Sequence, residues 1–265
     1  MKRFFGFPIV WALIGAASII LVDGIGIGGG IALGLPFLIA GALLAAGLGF
    51  VLYRVVMRYL ARRAVPELRF SSRELAGGML LGCGFLVSSV AIVAALGGYS
   101  IAWHPVDLAR TLSFAIALNI GAAVCEELAF RGFLLQGIAQ ITSPALAVAI
   151  TALLFGGIHA SNPDASLWSS LAIAIEAGVL MGAAFVWRRN LWFVIGMHFA
   201  WNTSELLLGI PVSGHREPGL FVTTVHGNPW LTGGDFGVEA SLVPVIVSAV
   251  VTAAIVARQV TSARR

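Results

Sequence analysis

Val124-Cys125-Glu126-Glu127-Leu128-Ala129-Phe130-Arg131 decides how the chain is read. The apolar stretch that starts at Leu112 runs on through these residues, which puts two adjacent acids and an arginine at a depth where hydrocarbon makes charge expensive. Ionisable groups so placed face a protein interior, and there they do chemistry or carry an ion. Glu127 and Arg131 stand four apart, on one helical face and within reach of each other. Glu126 points about 100° away, so it can face a cavity while its neighbour is held by the arginine. Two later apolar stretches carry polar residues at related spacing, Phe155-Gly156-Gly157-Ile158-His159 and His198-Phe199-Ala200-Trp201-Asn202.

The 265 residues are 59% hydrophobic and 11% charged, with a mean hydropathy of +0.97. A soluble domain of this size cannot hide so much apolar surface, so most of it must meet lipid or other membrane helices. Eight stretches are long enough to cross, roughly 4–22, 32–53, 75–97, 111–138, 144–160, 171–187, 190–208 and 241–257. The fold class is therefore all-α, a polytopic membrane helical bundle of about eight transmembrane helices. A barrel would need alternating ten-residue strands, which are absent, so a multi-pass protein of the plasma or inner cell membrane follows. No domain boundary or repeat divides the chain. We read 1–265 as a single transmembrane domain with its motif-bearing core at about 100–208.

The net charge of +4 is small, but its placement gives an orientation. Thirteen of the sixteen basic residues fall in five clusters: Lys2 with Arg3; the arginines at 54, 58, 62, 63, 69 and 73; Arg188 with Arg189; Arg258; and Arg264 with Arg265. Eight crossings from a cytoplasmic start put all five clusters, and both termini, on the cytoplasmic side. The outer loops then hold Asp23, Asp107, Asp164, Glu217, Asp235 and Glu239 against Arg110 and Arg216. Arginines beside anionic headgroups make membrane lipid the expected partner, and no basic face interleaved with aromatics suggests nucleic acid. Met1-Lys2-Arg3 before an apolar run resembles a signal peptide without a convincing cleavage site, so it reads as an uncleaved first span.

Local signals agree with these spans. Ser71-x-x-Glu74 is a capping-box pattern, and Ser143-Pro144 supplies a cap and an N1 proline. Gly26-Ile27-Gly28-Gly29-Gly30 follows no strand and reads as a turn between spans rather than a dinucleotide loop. Gly78-x-x-x-Gly82 and Gly178-x-x-x-Gly182 permit close helix contact. Cys83 and Cys125 have no Cys-x-x-Cys neighbour and read as small core residues. The long loop 209–240 reads as a loosely structured outer segment without a catalytic role.

His198 and Asn202 share one face of the seventh span, while His159 ends the fifth and brings a second imidazole from another direction. From the helical rise, Glu126 lies about 18 Å from Ile138, His159 about 22 Å from Pro144 and His198 about 14 Å from Arg189. Helix tilt absorbs those differences, and one shared site open toward the Arg54–Arg73 side is expected. The fourth stretch is long for one crossing and is expected to break near Arg131. No serine stands beside a base in a way that suggests a nucleophile. A water activated by Glu126 and His159 can attack a peptide carbonyl, with His198 and Asn202 donating to the oxyanion. The rival is a zinc site of Glu126, His159 and His198, although His-Glu-x-x-His is absent. Glu176 is a further intramembrane acid that can reach the site or pair with Arg110.

Glu126-Glu127-x-x-x-Arg131, Phe155-x-x-x-His159 and His198-x-x-x-Asn202, in this order, resemble the three motifs of the CPBP family of intramembrane endopeptidases, also called the Abi or CAAX-protease family. The resemblance implies a membrane-embedded glutamate-dependent hydrolase; the residues themselves suggest no cofactor, with zinc as the alternative. Glu126 and His159 would activate water, His198 and Asn202 would hold the oxyanion, and Glu127 and Arg131 would support them. The expected substrate is a peptide or membrane protein, with or without a lipid modification. Two other classes compete: a binding or bacteriocin-immunity protein that uses the fold without cutting, and a transporter. The transporter lacks the paired Gly/Pro helix breaks of the commonest types.

Overall fold

The computed structural model describes residues 6–263; the terminal basic clusters Lys2–Arg3 and Arg264–Arg265 lie outside the described residues. Within the described residues, each of the eight apolar stretches forms a helix. Among the described residues, seven helices are long and apolar enough to cross a membrane: α1 Pro8–Leu33, α2 Leu35–Tyr59, α3 Ser72–Ala95, α4 Leu108–Ala139, α5 Pro144–Ser161, α6 Leu167–Arg188 and α8, which runs Leu242–Ala263. The eighth, α7 Leu191–Leu207, has 17 residues. The chain is a multi-pass, all-α membrane protein.

The caps stand where the sequence puts them. The Ser71 hydroxyl accepts from the Glu74 amide at 3.3 Å, and the Ser143 hydroxyl accepts from Leu146 at 3.2 Å ahead of Pro144. The glycine-rich segment differs from its reading as a turn. Helix α1 continues through Gly24–Gly28 as a π-helical turn and on to Leu33, and the reversal is confined to Gly34 at φ 103°. Only glycine adopts that backbone readily. Its neighbours are helical because a Cβ on Gly26 or Gly41 would strike the facing backbone or side chains, so the glycines let α1 and α2 meet closely. One consequence is that Asp23, expected in an outer loop, lies within α1.

Helix α7 packs most extensively on α3. The contact rests on Gly78 and Gly82, where a Cβ would collide with the carbonyl oxygens of Phe193 and Met197. Gly178 and Gly182 do the same for α6 against Ala152 and Val148 of α5. Helix α4 does not break near Arg131; it absorbs its excess length as a π-helical turn at Leu128–Leu134. A second such turn, Ala174–Leu180, lies in α6. π-bulges of this kind occur mostly at functional sites.

The two faces of the bundle are built differently. On the arginine-rich face, the Tyr53 hydroxyl donates to Glu67 at 2.5 Å, Arg63 bonds Glu67 and Gln136, and Gln136 donates to the Gly132 carbonyl of α4 at 2.8 Å. Trp192 stacks on Phe50 and donates to the Leu68 carbonyl, and Arg188 pairs with Glu74. On the opposite face, segment 209–241 is ordered rather than loose. Strand β2 Phe221–Val225 pairs antiparallel with β1 Tyr99–Trp103, placing Phe221 against Trp103. Phe236, Val238 and Glu239 are buried, because Ser213 donates through N and Oγ to Glu239 at 2.7 and 2.8 Å and Trp168 donates to Ala240 at 2.7 Å.

Two outcomes test this packing. Thermal unfolding of Gly82→Ala in detergent should show a loss of about 1–3 kcal/mol from overpacking, whereas Gly84→Ala, whose Cβ meets nothing, should not; equal stability of the two contradicts the close contact. Burial raises the Glu67 carboxyl, but hydrogen bonds from Arg63 and Tyr53 outweigh that and hold it below the ordinary 4.5. A depressed folded value gives stability that is complete above 4.5 and fades as pH falls through it. Glu67→Gln should therefore flatten the acid limb of the stability curve.

Candidate active site

The π-helical turn begins immediately after Glu126 and Glu127, and the two carboxylates part as the sequence indicates. Glu127 is 0% exposed at its side chain, while Glu126 retains 27%. Arg131 donates to Glu127 at 2.7 Å and, through its other terminal nitrogen, to the Ala177 carbonyl of α6 at 2.6 Å. Its guanidinium lies 4.9 Å over the Phe155 ring, an additional favourable contact for a desolvated cation. Removing one partner of so deeply buried a pair costs about 3–5 kcal/mol, because the other charge is left uncompensated.

His198 joins this pair from α7. Its Nδ1 lies 2.9 Å from Glu127 Oε1, and its Nε2 lies 4.0 Å from Glu126 Oε2. Glu127 thus bonds Arg131 and His198 together and turns the free edge of the imidazole toward Glu126. His159, at the end of α5, has Nδ1 2.7 Å from the Phe155 carbonyl. That carbonyl can only accept, so Nδ1 carries the proton and Nε2 keeps its lone pair. Phe155 spaces the two imidazoles, with ring centroids 4.7 Å from His159 and 6.3 Å from His198.

Glu126, His159 and Asn202 line one cavity of about 310 Å³, and His198 stands behind Glu126 at its wall. The four sequence-chosen residues converge, with Glu127 and Arg131 beneath them. The cavity does not face the Arg54–Arg73 side as expected. Its remaining polar lining is Asn119 of α4 together with Asn162, His215 and Glu217 from the opposite face. The physical reason is the tight network of Tyr53, Glu67, Arg63 and Gln136, which fills the arginine-rich end of α4.

Four acids were misjudged or missed from sequence. Asp23 reaches the Cys125 thiol and faces Glu126, and its Oδ1 is buried without a partner among the described residues. The signal was present: extending the first apolar run through its glycines makes Asp23 an intramembrane acid. Glu176 does not meet Arg110; it is fully buried, near Glu205 and Glu239, and Glu205 is equally buried on α7. Cys83 and Cys125 are free thiols. Among the described residues, no group of three or more His, Cys, Asp or Glu is arranged to hold a metal ion. Both Nδ1 atoms are engaged by protein oxygens, which leaves the Nε2 atoms of His159 and His198 free; a metal-bound imidazole shows the same outer partner.

With this geometry in view, residues 108–204 match the family model described as type II CAAX prenyl endopeptidase Rce1-like. The motif-bearing segment is thus similar to that family. The matched stretch begins with α4 and ends within α7, so it holds all three motifs and leaves α1–α3 and the outer segment outside it. The match covers 97 of the 265 residues. Neither the curated proteins nor the solved structures give a significant match to the chain.

Glu127→Ala should lower unfolding stability by about 3–5 kcal/mol, while Glu126→Gln should leave it near wild type. Chemical unfolding in mixed micelles checks this contrast, and equal losses for the two variants contradict the division of labour between the carboxylates.

Proposed function

We propose that the protein hydrolyses a peptide bond within the membrane, using a water activated by Glu126 and His159. The observation that carries this reading is the partly exposed Glu126 side chain, in one cavity with His159 and Asn202 and 4.0 Å from His198. That separation is too long for a direct hydrogen bond, so Glu126 is not tied to His198 as Glu127 is. Glu126 takes a proton from the water as its oxygen attacks the scissile carbonyl carbon. His159, with Nε2 unprotonated, is the second acceptor facing that space.

Charge then develops on the carbonyl oxygen. The Asn202 amide and the His198 edge facing Glu126 are the donors for it, and Glu127 stabilises the protonated imidazole that such donation uses. Collapse of the tetrahedral species breaks the C–N bond, and the proton taken by Glu126 passes to the leaving amine. Preorganisation supports this assignment. His198 is held by Glu127, Glu127 by Arg131, and Arg131 by the α6 backbone, so the donors need little rearrangement as charge forms.

The substrate class is a peptide or membrane protein, with or without a lipid modification, and the setting is a plasma or inner membrane with both termini in the cytoplasm. The test is cleavage of a transmembrane peptide library by purified protein. Glu126→Gln should lose about 10²–10⁴-fold in rate, and a chelator should change nothing. Undiminished turnover by Glu126→Gln removes the proposed base. Activity lost to a chelator and regained with zinc replaces the mechanism with a metal-dependent one.

A further inference from the structure

We infer that the substrate reaches Glu126 from the membrane face opposite the arginine clusters, so that the scissile segment belongs to an exported or membrane-inserted polypeptide presented on the non-cytoplasmic side. This rests on the hydrolytic reading of the site for the word substrate, but the sidedness of the cavity stands on separate observations.

The first is what seals the arginine-rich side. Below Glu126, the Glu127–Arg131 pair and Phe130 and Phe155 are buried, and Phe133 packs on Tyr53 with ring centroids 4.8 Å apart. Beyond them, Tyr53, Glu67, Arg63 and Gln136 form a hydrogen-bonded plug that ties the α2–α3 connection to the Gly132 carbonyl. A peptide arriving from that side would have to break buried ion pairs and hydrogen bonds on two levels, each costly in a medium that offers no replacement partner.

The second is what opens the other side. His159 ends α5 on that face, and the cavity continues past it between Asn162 and the outer segment at Val212, His215 and Glu217. Asn162 donates to the Ser213 carbonyl at 3.0 Å, and Ser213 is in turn anchored on the buried Glu239, so the outer segment is a fixed part of the wall. A second chamber of about 440 Å³, containing Asp107 and Arg110, shares Ile31 and Glu217 with the first. The two chambers thus lie side by side on the face of the outer loops, and the one with Glu126 is lined by residues of that face.

The third is charge. The described arginines at 54, 58, 62, 63, 69, 73, 188, 189 and 258 all belong to the ends or connections of the helices on the plugged face. Arginine in such short connections stays in the cytoplasm. The Glu126 cavity, lined by Asn162, Val212, His215 and Glu217, therefore faces outward.

The test uses the full chain in sealed membrane vesicles of both orientations and a small membrane-impermeant thiol reagent. The wild-type chain, with Cys83 and Cys125, sets the background. Three variants report: Ala122→Cys inside the cavity, His215→Cys at its mouth and Arg62→Cys on the plugged face. The expected result is labelling of Ala122→Cys and His215→Cys only in right-side-out vesicles and of Arg62→Cys only in inside-out vesicles. Labelling of Ala122→Cys only in inside-out vesicles overturns the inference, as does labelling of His215→Cys and Arg62→Cys from one face. A reporter peptide added outside should be cut by right-side-out vesicles alone. If it is cut in neither orientation while the labelling is as expected, the hydrolytic reading fails and the sidedness stands.

Discussion

A carboxylate and a guanidinium, both shut away from water, fix the centre of this molecule. Arg131 cannot lose its charge and Glu127 cannot be solvated, so each depends on the other. One spare donor of Arg131 goes to the Ala177 carbonyl, which joins α4 to α6. The oxygen of Glu127 that meets Arg131 also meets His198, which joins α4 to α7. Three helices are thereby held in one register. Glu126 is left as the carboxylate with room around it, and its freedom follows from its neighbour's confinement.

The same logic explains why the bundle is closed at one end and open at the other. The arginine-rich end needs no passage, and its polar groups satisfy one another through Tyr53, Glu67, Arg63 and Gln136. At the other end, backbone that is not helical must find partners in the protein. It does so through the β1–β2 pair and through Glu239, whose carboxylate gathers the Ser213 amide and hydroxyl. The outer segment is thus a wall of the cavity rather than a slack connection.

Much of this was legible from residues alone, and the reasons are physical. Span positions follow from uninterrupted apolar length, helix starts from Ser71 and Ser143, and the contrast between Glu126 and Glu127 from about 100° of rotation per residue. The three motifs pointed to residues that gather around one cavity, because charge at membrane depth survives only where protein surrounds and pairs it. Two kinds of feature stayed hidden. Glycine was ambiguous: Gly24–Gly30 contains the residues of a turn, yet close contact with α2 keeps it helical, and Asp23 moved with it from loop to core. Direction was ambiguous too, since the depths of Glu126, His159 and His198 say where a cavity lies and not which end is plugged. Glu205 and Glu239 gave no pattern at all; one sits alone on a helix face and the other in a loop whose burial depends on contacts far along the chain.

The dependence of the proposed catalytic groups on the buried pair is tested most directly by a double-mutant cycle on Glu127 and Arg131, read both as unfolding free energy and as peptide cleavage. Hydrophobic residues of similar volume often replace a buried ion pair without loss of stability. Glu127→Leu combined with Arg131→Met should recover the stability that either single change removes. Cleavage should stay as low as in the Glu127→Leu variant, because His198 no longer has an acceptor for Nδ1. A double variant that cleaves at the wild-type rate would contradict that dependence.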